Sequence, residues 1–209
     1  MKKFNNTPNK RFTVEDSGTI REIWDSRSCA VCIILLLRRG DEYSVLLTRR
    51  GEGCPDYVGC WGNVCGYLDR DESIIDAVKR ELYEETGLDF DSLVCPRSIK
   101  FLGYDDELEG AQNITLRHLV ICDYDEVTDL LSRGIINGDT ESRGGELNEV
   151  SGIVVVPLSN FGSHIKDWAF NHDELLSRLQ SLTIHSGWLE NDSLLQEAFS
   201  KNVNIGYRR

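Results

Sequence analysis

The sequence predicts an α/β domain, and three stretches carry that prediction. Residues 28–38 form a near-continuous apolar run rich in β-branched side chains, as in a strand buried on both faces. Residues 72–86 follow a helical period, with an apolar stripe beside an acidic one. Residues 174–182 space Leu175, Leu176 and Leu179 as the packing face of a second, amphipathic helix. With 209 residues, 40% of them hydrophobic, the chain can build one cored domain with additions, but not two independent ones.

Taken in order, residues 1–26 are polar and read as a flexible or edge lead to a domain spanning 27–182. After the first strand, Arg39-Gly40-Asp41 turns the chain and residues 42–49 alternate well enough to complete a hairpin. Cys29 and Cys32 form a C-x-x-C, but positions i and i+3 of a strand point to opposite faces. Both are therefore expected as small buried hydrophobes. Cys54, Cys60 and Cys65 add no recognisable zinc spacing. Glycines and Pro55 make 51–60 a loop leading into a short strand at 61–65.

The helix over 72–86 has Asp69 or Asp71 available as its cap, Glu72 in its first turn and Gly87 as a left-handed stop. Ile75, Val78 and Leu82 share its apolar stripe. Strands are expected over 98–104 and 113–124, the latter placing Ile114, Leu116, His118, Val120 and Cys122 on one side. Here His118 reads as a packed histidine. Residues 125–149 are polar and glycine-punctuated, an insertion with a short helix near 127–131. A strand at 153–156 follows, and Trp168 and Phe170 are expected in the core. Residues 183–209 read as a C-terminal helical extension, whose helix near 188–199 suits self-association as a homodimer.

Charge narrows the function classes. A net charge of −12 argues against binding a nucleic-acid polymer or an anionic membrane. The longest apolar run, 30–37, is far too short to span a bilayer. Seven irregularly spaced cysteines, with no apolar segment after Met1-Lys2-Lys3, suggest a reducing compartment and a cytoplasmic protein.

The chemistry concentrates in the acidic stripe. Glu81, Glu84 and Glu85 stand at i, i+3 and i+4, where carboxylates repel unless a cation lies among them. Mg²⁺ is commonly held by one or two carboxylates together with substrate phosphates, so the trio is a candidate metal platform. The alternative is a solvated acidic face. Arg80 can brace the trio through Glu84 one turn on or Asp76 one turn back.

Gly66, Glu72 and Arg80-Glu81-Leu82-x-Glu84-Glu85-x-Gly87-Leu88 together resemble the signature of the Nudix hydrolases at every specified position. The resemblance implies an α/β/α sandwich with a mixed central sheet. It also implies hydrolysis of a diphosphate linkage in a nucleoside diphosphate joined to a group X, with Mg²⁺, or Mn²⁺, as cofactor. ADP-ribose, NADH, dinucleoside polyphosphates and nucleotide sugars are substrates of this type. Carried over by position, Glu81, Glu84 and Glu85 are metal carboxylates and Glu81 is a possible base. The backbone at Gly66 supplies a carbonyl ligand, and Glu72 and Arg80 give support. Glu149, with Glu146 second, stands where such proteins often carry a further metal ligand or base. Tyr104, Trp61 and Arg49 are the candidate substrate contacts.

One departure matters. Val64-Cys65 replaces the Pro-Gly usual before Gly66, and Asn63-Val64-Cys65-Gly66 resembles the active-site cysteine segment of isopentenyl diphosphate isomerases of the same fold. That alternative makes Cys65 a proton-transfer residue, whereas the intact acidic core and the four histidines, all after the motif, favour the hydrolase. A non-catalytic ligand-sensing module is the other alternative.

Overall fold

A computed structural model describes residues 9–94, 97–106, 113–145 and 148–200. Strands β1 (Lys10–Asp16) and β2 (Thr19–Asp25) pair antiparallel through the turn at Ser17 and Gly18, as a two-stranded sheet of their own. Residues 10–25 of the expected lead are thus a regular hairpin.

The main sheet is mixed, and β3 (Ser28–Arg39) is its axis. Along one edge β3 pairs antiparallel with β6 (Val64–Tyr67) and then β4 (Glu42–Arg50); along the other it runs parallel to β8 (Asn113–Asp123). Beyond β4 lies β9 (Val150–Pro157), β5 (Trp61–Gly62) pairs with Thr48 and Arg49 on the β3 side of β4, and beyond β8 lies β7 (Ser98–Asp105). Residues Ala30 to Leu37 are buried throughout, as a two-faced strand requires.

Alternation along β3 divides the core into two layers. Val31, Ile33, Leu35 and Leu37 pack beneath α1 (Ile74–Thr86) and α2 (Tyr124–Ser132), with Ala77, Val78, Leu82 and Val127. Cys32, Ile34 and Leu36 face the opposite layer, built from α3 (Phe161–His164), α4 (His172–Leu182) and α5 (Asp192–Ser200). The fold is an α/β/α sandwich. Trp188, Leu195 and Phe199, expected on a self-association helix, are spent in this chain's own core. No helix among the described residues is long and apolar enough to cross a membrane.

Candidate active site

The acidic helix starts two residues later than its sequence suggested, at Ile74 rather than Glu72. Ser73 is the cap, not Asp69 or Asp71: its hydroxyl accepts the Asp76 N–H at 3.2 Å and donates to the Asp76 carboxylate at 2.6 Å. That interaction occupies Asp76, so it does not brace Arg80. Gly87 ends the helix at φ 81°, its N–H donating to the Tyr83 carbonyl at 2.7 Å. Ile75 is not on the packing stripe; it is 43% exposed, and Ala77 joins Val78 and Leu82 instead.

Arg80 organises the carboxylates. Its guanidinium donates to Glu81 Oε1 and Glu84 Oε2, both at 2.8 Å, and forks onto Glu72 at 2.7 and 3.0 Å. It also donates to the Tyr67 carbonyl at 2.8 Å, tying α1 to β6. Glu72 accepts the Asp69 N–H at 2.7 Å, and the Arg80 pairing holds its carboxyl below the usual range. Glu85 is received by the sheet, accepting from Thr48 Oγ1 at 2.8 Å and from the Cys65 N–H at 3.0 Å.

Glu81 and Glu85 are 5% and 6% exposed. Burial pushes their carboxyls up to about 7 and about 8, against the Arg80 contacts of Glu81 and the hydrogen bonds of Glu85. The charge of Glu149 raises both further, so the structure brings that loop residue into the field of the helix. The Glu149 backbone is clamped to the 51–54 loop: its carbonyl accepts the Gly51 N–H at 2.8 Å and the Cys54 thiol at 3.2 Å. Glu146 lies outside the described residues.

These groups fit a hard divalent cation. Buried carboxyls that would otherwise hold protons are what an ion with oxygen ligands displaces protons from. A side chain at residue 66 would put its Cβ 1.9 Å from Glu81 Oε1, so only glycine leaves that carboxylate its place against the β6 backbone. Beside Glu85, Thr48, Asn63 and Glu149 line a cavity of about 10 Å³, the size of one water, and the buried Asn63 amide has no partner there. Arg143, which the sequence did not single out, donates to the Glu84 carbonyl at 3.1 and 3.2 Å and ties the 137–143 segment to the end of α1.

The other side of Cys65 is different. Its thiol and that of Cys32 each lie 3.7 Å from Nε2 of the buried His172, the first residue of α4. The Asn63 N–H donates to His172 Nδ1 at 3.0 Å, and Gly62 leaves the ring room, since a Cβ there would meet Nδ1 at 2.6 Å. Contact with the Cys32 sulfur, then burial and the nearby Glu85 and Glu81 charges, hold the Cys65 thiol up. A cavity of about 380 Å³ borders this trio, with Tyr57, Phe170 and Arg117 in its walls. Phe170 is therefore a wall of the cavity rather than core: it is 46% exposed, at φ 53°, its ring tilted by 49° against Tyr57 with centroids 4.5 Å apart. Trp168 does pack inward, edge-on to Phe161.

The remaining candidates have other surroundings. Trp61 is half-buried against the α4 layer, and Arg49 donates to the Gly59 carbonyl at 2.9 Å. Tyr104 is 47% exposed on the far edge strand β7; its neighbour Asp105 points to the cavity and pairs with Arg117. His118 is buried against Phe101.

The model of the NUDIX domain matches residues 27–179, which contain every group just described. The chain belongs to the Nudix family. A stretch of 63 residues is 38% identical to the zebrafish (Danio rerio) m7GpppN-mRNA hydrolase NUDT17, covering 30% of this chain and 21% of that protein. Among solved structures, the Nudix domain of Shewanella oneidensis NrtR in complex with ADP ribose is similar with a TM-score of 0.53 and 20% identity. The match covers 75% of this chain and 88% of that one. A MutT/nudix family protein from Listeria innocua gives the same score and identity over 80% and 99%. At such identities the likeness to these Nudix structures is one of fold.

Proposed function

We propose that this Nudix protein hydrolyses a diphosphate linkage in a nucleoside diphosphate joined to a second group, using Mg²⁺ or Mn²⁺. The observation that carries the reading is the buried, arginine-braced carboxylate cluster against Gly66. Glu81, Glu84, Glu85, Glu149 and the Gly66 carbonyl would hold the ion, which when bound neutralises phosphate charge and lowers the pKa of a water. The chain's own work is positional. Arg80 fixes Glu81 and Glu84 on one face, and Thr48 with the Cys65 N–H fixes Glu85. Glu149, or Glu81, takes the proton of the attacking water. Diphosphate cleavage rewards positioning and charge stabilisation, so no protein nucleophile is needed. Tyr57 and Phe170 offer ring faces for the nucleoside base beside Cys65.

The test is incubation with Mg²⁺ and a panel of ADP-ribose, NADH, diadenosine polyphosphates, nucleotide sugars and nucleoside triphosphates, alongside Glu84→Gln. Wild-type turnover should fall at least about 100-fold in the variant. Tight binding of a panel member without turnover would instead mark a sensing module. Turnover of isopentenyl diphosphate that depends on Cys65 would mark an isomerase.

A further inference from the structure

The geometry points to a second chemical site in this molecule: Cys32 and Cys65 form a reversible disulfide under peroxide, with His172 positioning the reacting sulfurs. Cys32 and Cys65 are direct partners in the antiparallel β3–β6 register. The Cys65 N–H is donated to Glu85 rather than across to β3, which makes this a non-hydrogen-bonded pair. Such pairs have Cα atoms about 4.5 Å apart and the closer side chains, within the roughly 4.4–6.8 Å span a disulfide accepts. The two sulfurs and His172 Nε2 all lie within 4.8 Å of one another.

The imidazole decides between the two chemistries that such a trio allows. A zinc ion needs the bare lone pair of Nε2. Here Nδ1 accepts the Asn63 N–H, so in the neutral ring Nε2 carries the proton and presents a donor to both sulfurs. A donor at that place favours a thiolate at Cys32, the nucleophilic form, whose contacts with Cys65 and His172 hold its thiol low. Both cysteines and His172 line the 380 Å³ cavity, which gives a small oxidant a route in.

In the first step one thiolate attacks a peroxide oxygen: an S–O bond forms, the O–O bond breaks, and the departing hydroxide takes a proton to leave as water. The second sulfur then attacks the sulfenic acid, forming S–S, breaking S–O and releasing a second water. Two thiols are oxidised and one peroxide is reduced; a dithiol reverses the bond. Closure ties together β3 and β6, the strand whose backbone holds Glu85. The inference does not depend on the hydrolase reading, because its readout is the thiols themselves.

The experiment treats the fully reduced, metal-stripped protein with one equivalent of hydrogen peroxide, blocks residual thiols and maps the peptides. A Cys32–Cys65 cross-link reversed by dithiothreitol is expected, lost in Cys32→Ser and in Cys65→Ser and retained in Cys122→Ser. His172→Gln, checked for an unchanged thermal melt, should slow cross-linking about tenfold, the size of one charge-assisted hydrogen bond. Thiols that survive the peroxide, a bridge between other cysteines, or a His172→Gln rate equal to wild type would overturn the proposal. So would stoichiometric zinc that shields both cysteines from peroxide and is lost in His172→Gln, which would make the trio a metal site.

Discussion

Strand β6 presents two opposite designs on its two sides. Toward α1 its backbone receives carboxylates that come from one continuous helix, with Glu81, Glu84 and Glu85 each braced by a named donor. Toward α4 the Cys65 side chain meets Cys32 and His172, groups drawn from three separate segments of the chain. The first side concentrates charge and excludes alternatives by sterics. The second concentrates polarisable, oxidisable groups. A single two-residue stretch, Cys65-Gly66, serves both, and substitutions there should separate them.

The largest effect is expected from Gly66→Ala. Its new methyl occupies the place of the Glu81 carboxylate, so turnover should drop about 100-fold, as for an approximately 1 Å misplacement of a catalytic group, while Cys32–Cys65 chemistry persists. A variant with wild-type kinetics would show that Glu81 is dispensable where it stands. Thr48→Val removes one of the two donors to Glu85, and a metal titration of activity should move to about tenfold higher concentration.

Titration offers a gentler test. The Glu81 and Glu85 carboxyls have folded values of about 7 and about 8, above an unfolded value near 4.5. The native state therefore binds more protons than the unfolded state between those limits. The stability this confers is complete below the unfolded value and is lost as pH rises through 7 and 8. Without divalent ions, the melting temperature should fall from pH 6 to pH 9. Adding Mg²⁺ at the high end should restore it, and adding it near pH 6 should release protons, whereas a flat profile would mean these carboxyls are already ionised at pH 6. Arg143→Ala should cost about 1–2 kcal/mol in a urea melt, reporting on the tie between the 137–143 segment and the Glu84 carbonyl.

The contrast between the two sides also explains what could be read in advance. The carboxylate helix was legible because its elements are local: the spacing of Glu81, Glu84 and Glu85, and Gly87 as the stop, are properties of one helix. Its cap was misjudged because Ser73 and two aspartates compete within five positions, and only the Asp76 contact resolves them. Ile75 was misplaced because the apolar stripe depends on which way the helix is rolled against β3. On the other side Cys65 stood out in its own segment, but its meeting with Cys32 and His172 left no local trace. Cys32 carried the signal of a small core residue, and His172 that of the start of an ordinary amphipathic helix. Only strand register and the docking of α4 bring them together. Phe170 was read as core for the same reason: its left-handed backbone turns the ring outward, and no pattern of apolar spacing encodes that.

The parallel pairing of β3 with β8, from Ser28 with Asn113 to Arg38 with Asp123, has a consequence for how the molecule forms. The hairpin of β3 with β4 and the capped helix α1 can assemble from neighbours in the chain. The β3–β8 seam must instead close a long loop before its contacts repay the lost chain entropy. The acidic helix can thus be present early, while the sheet that seals it matures late. A weakened seam, for instance by Leu119→Ala, should therefore speed unfolding in stopped-flow denaturant jumps while leaving the folding rate nearly unchanged.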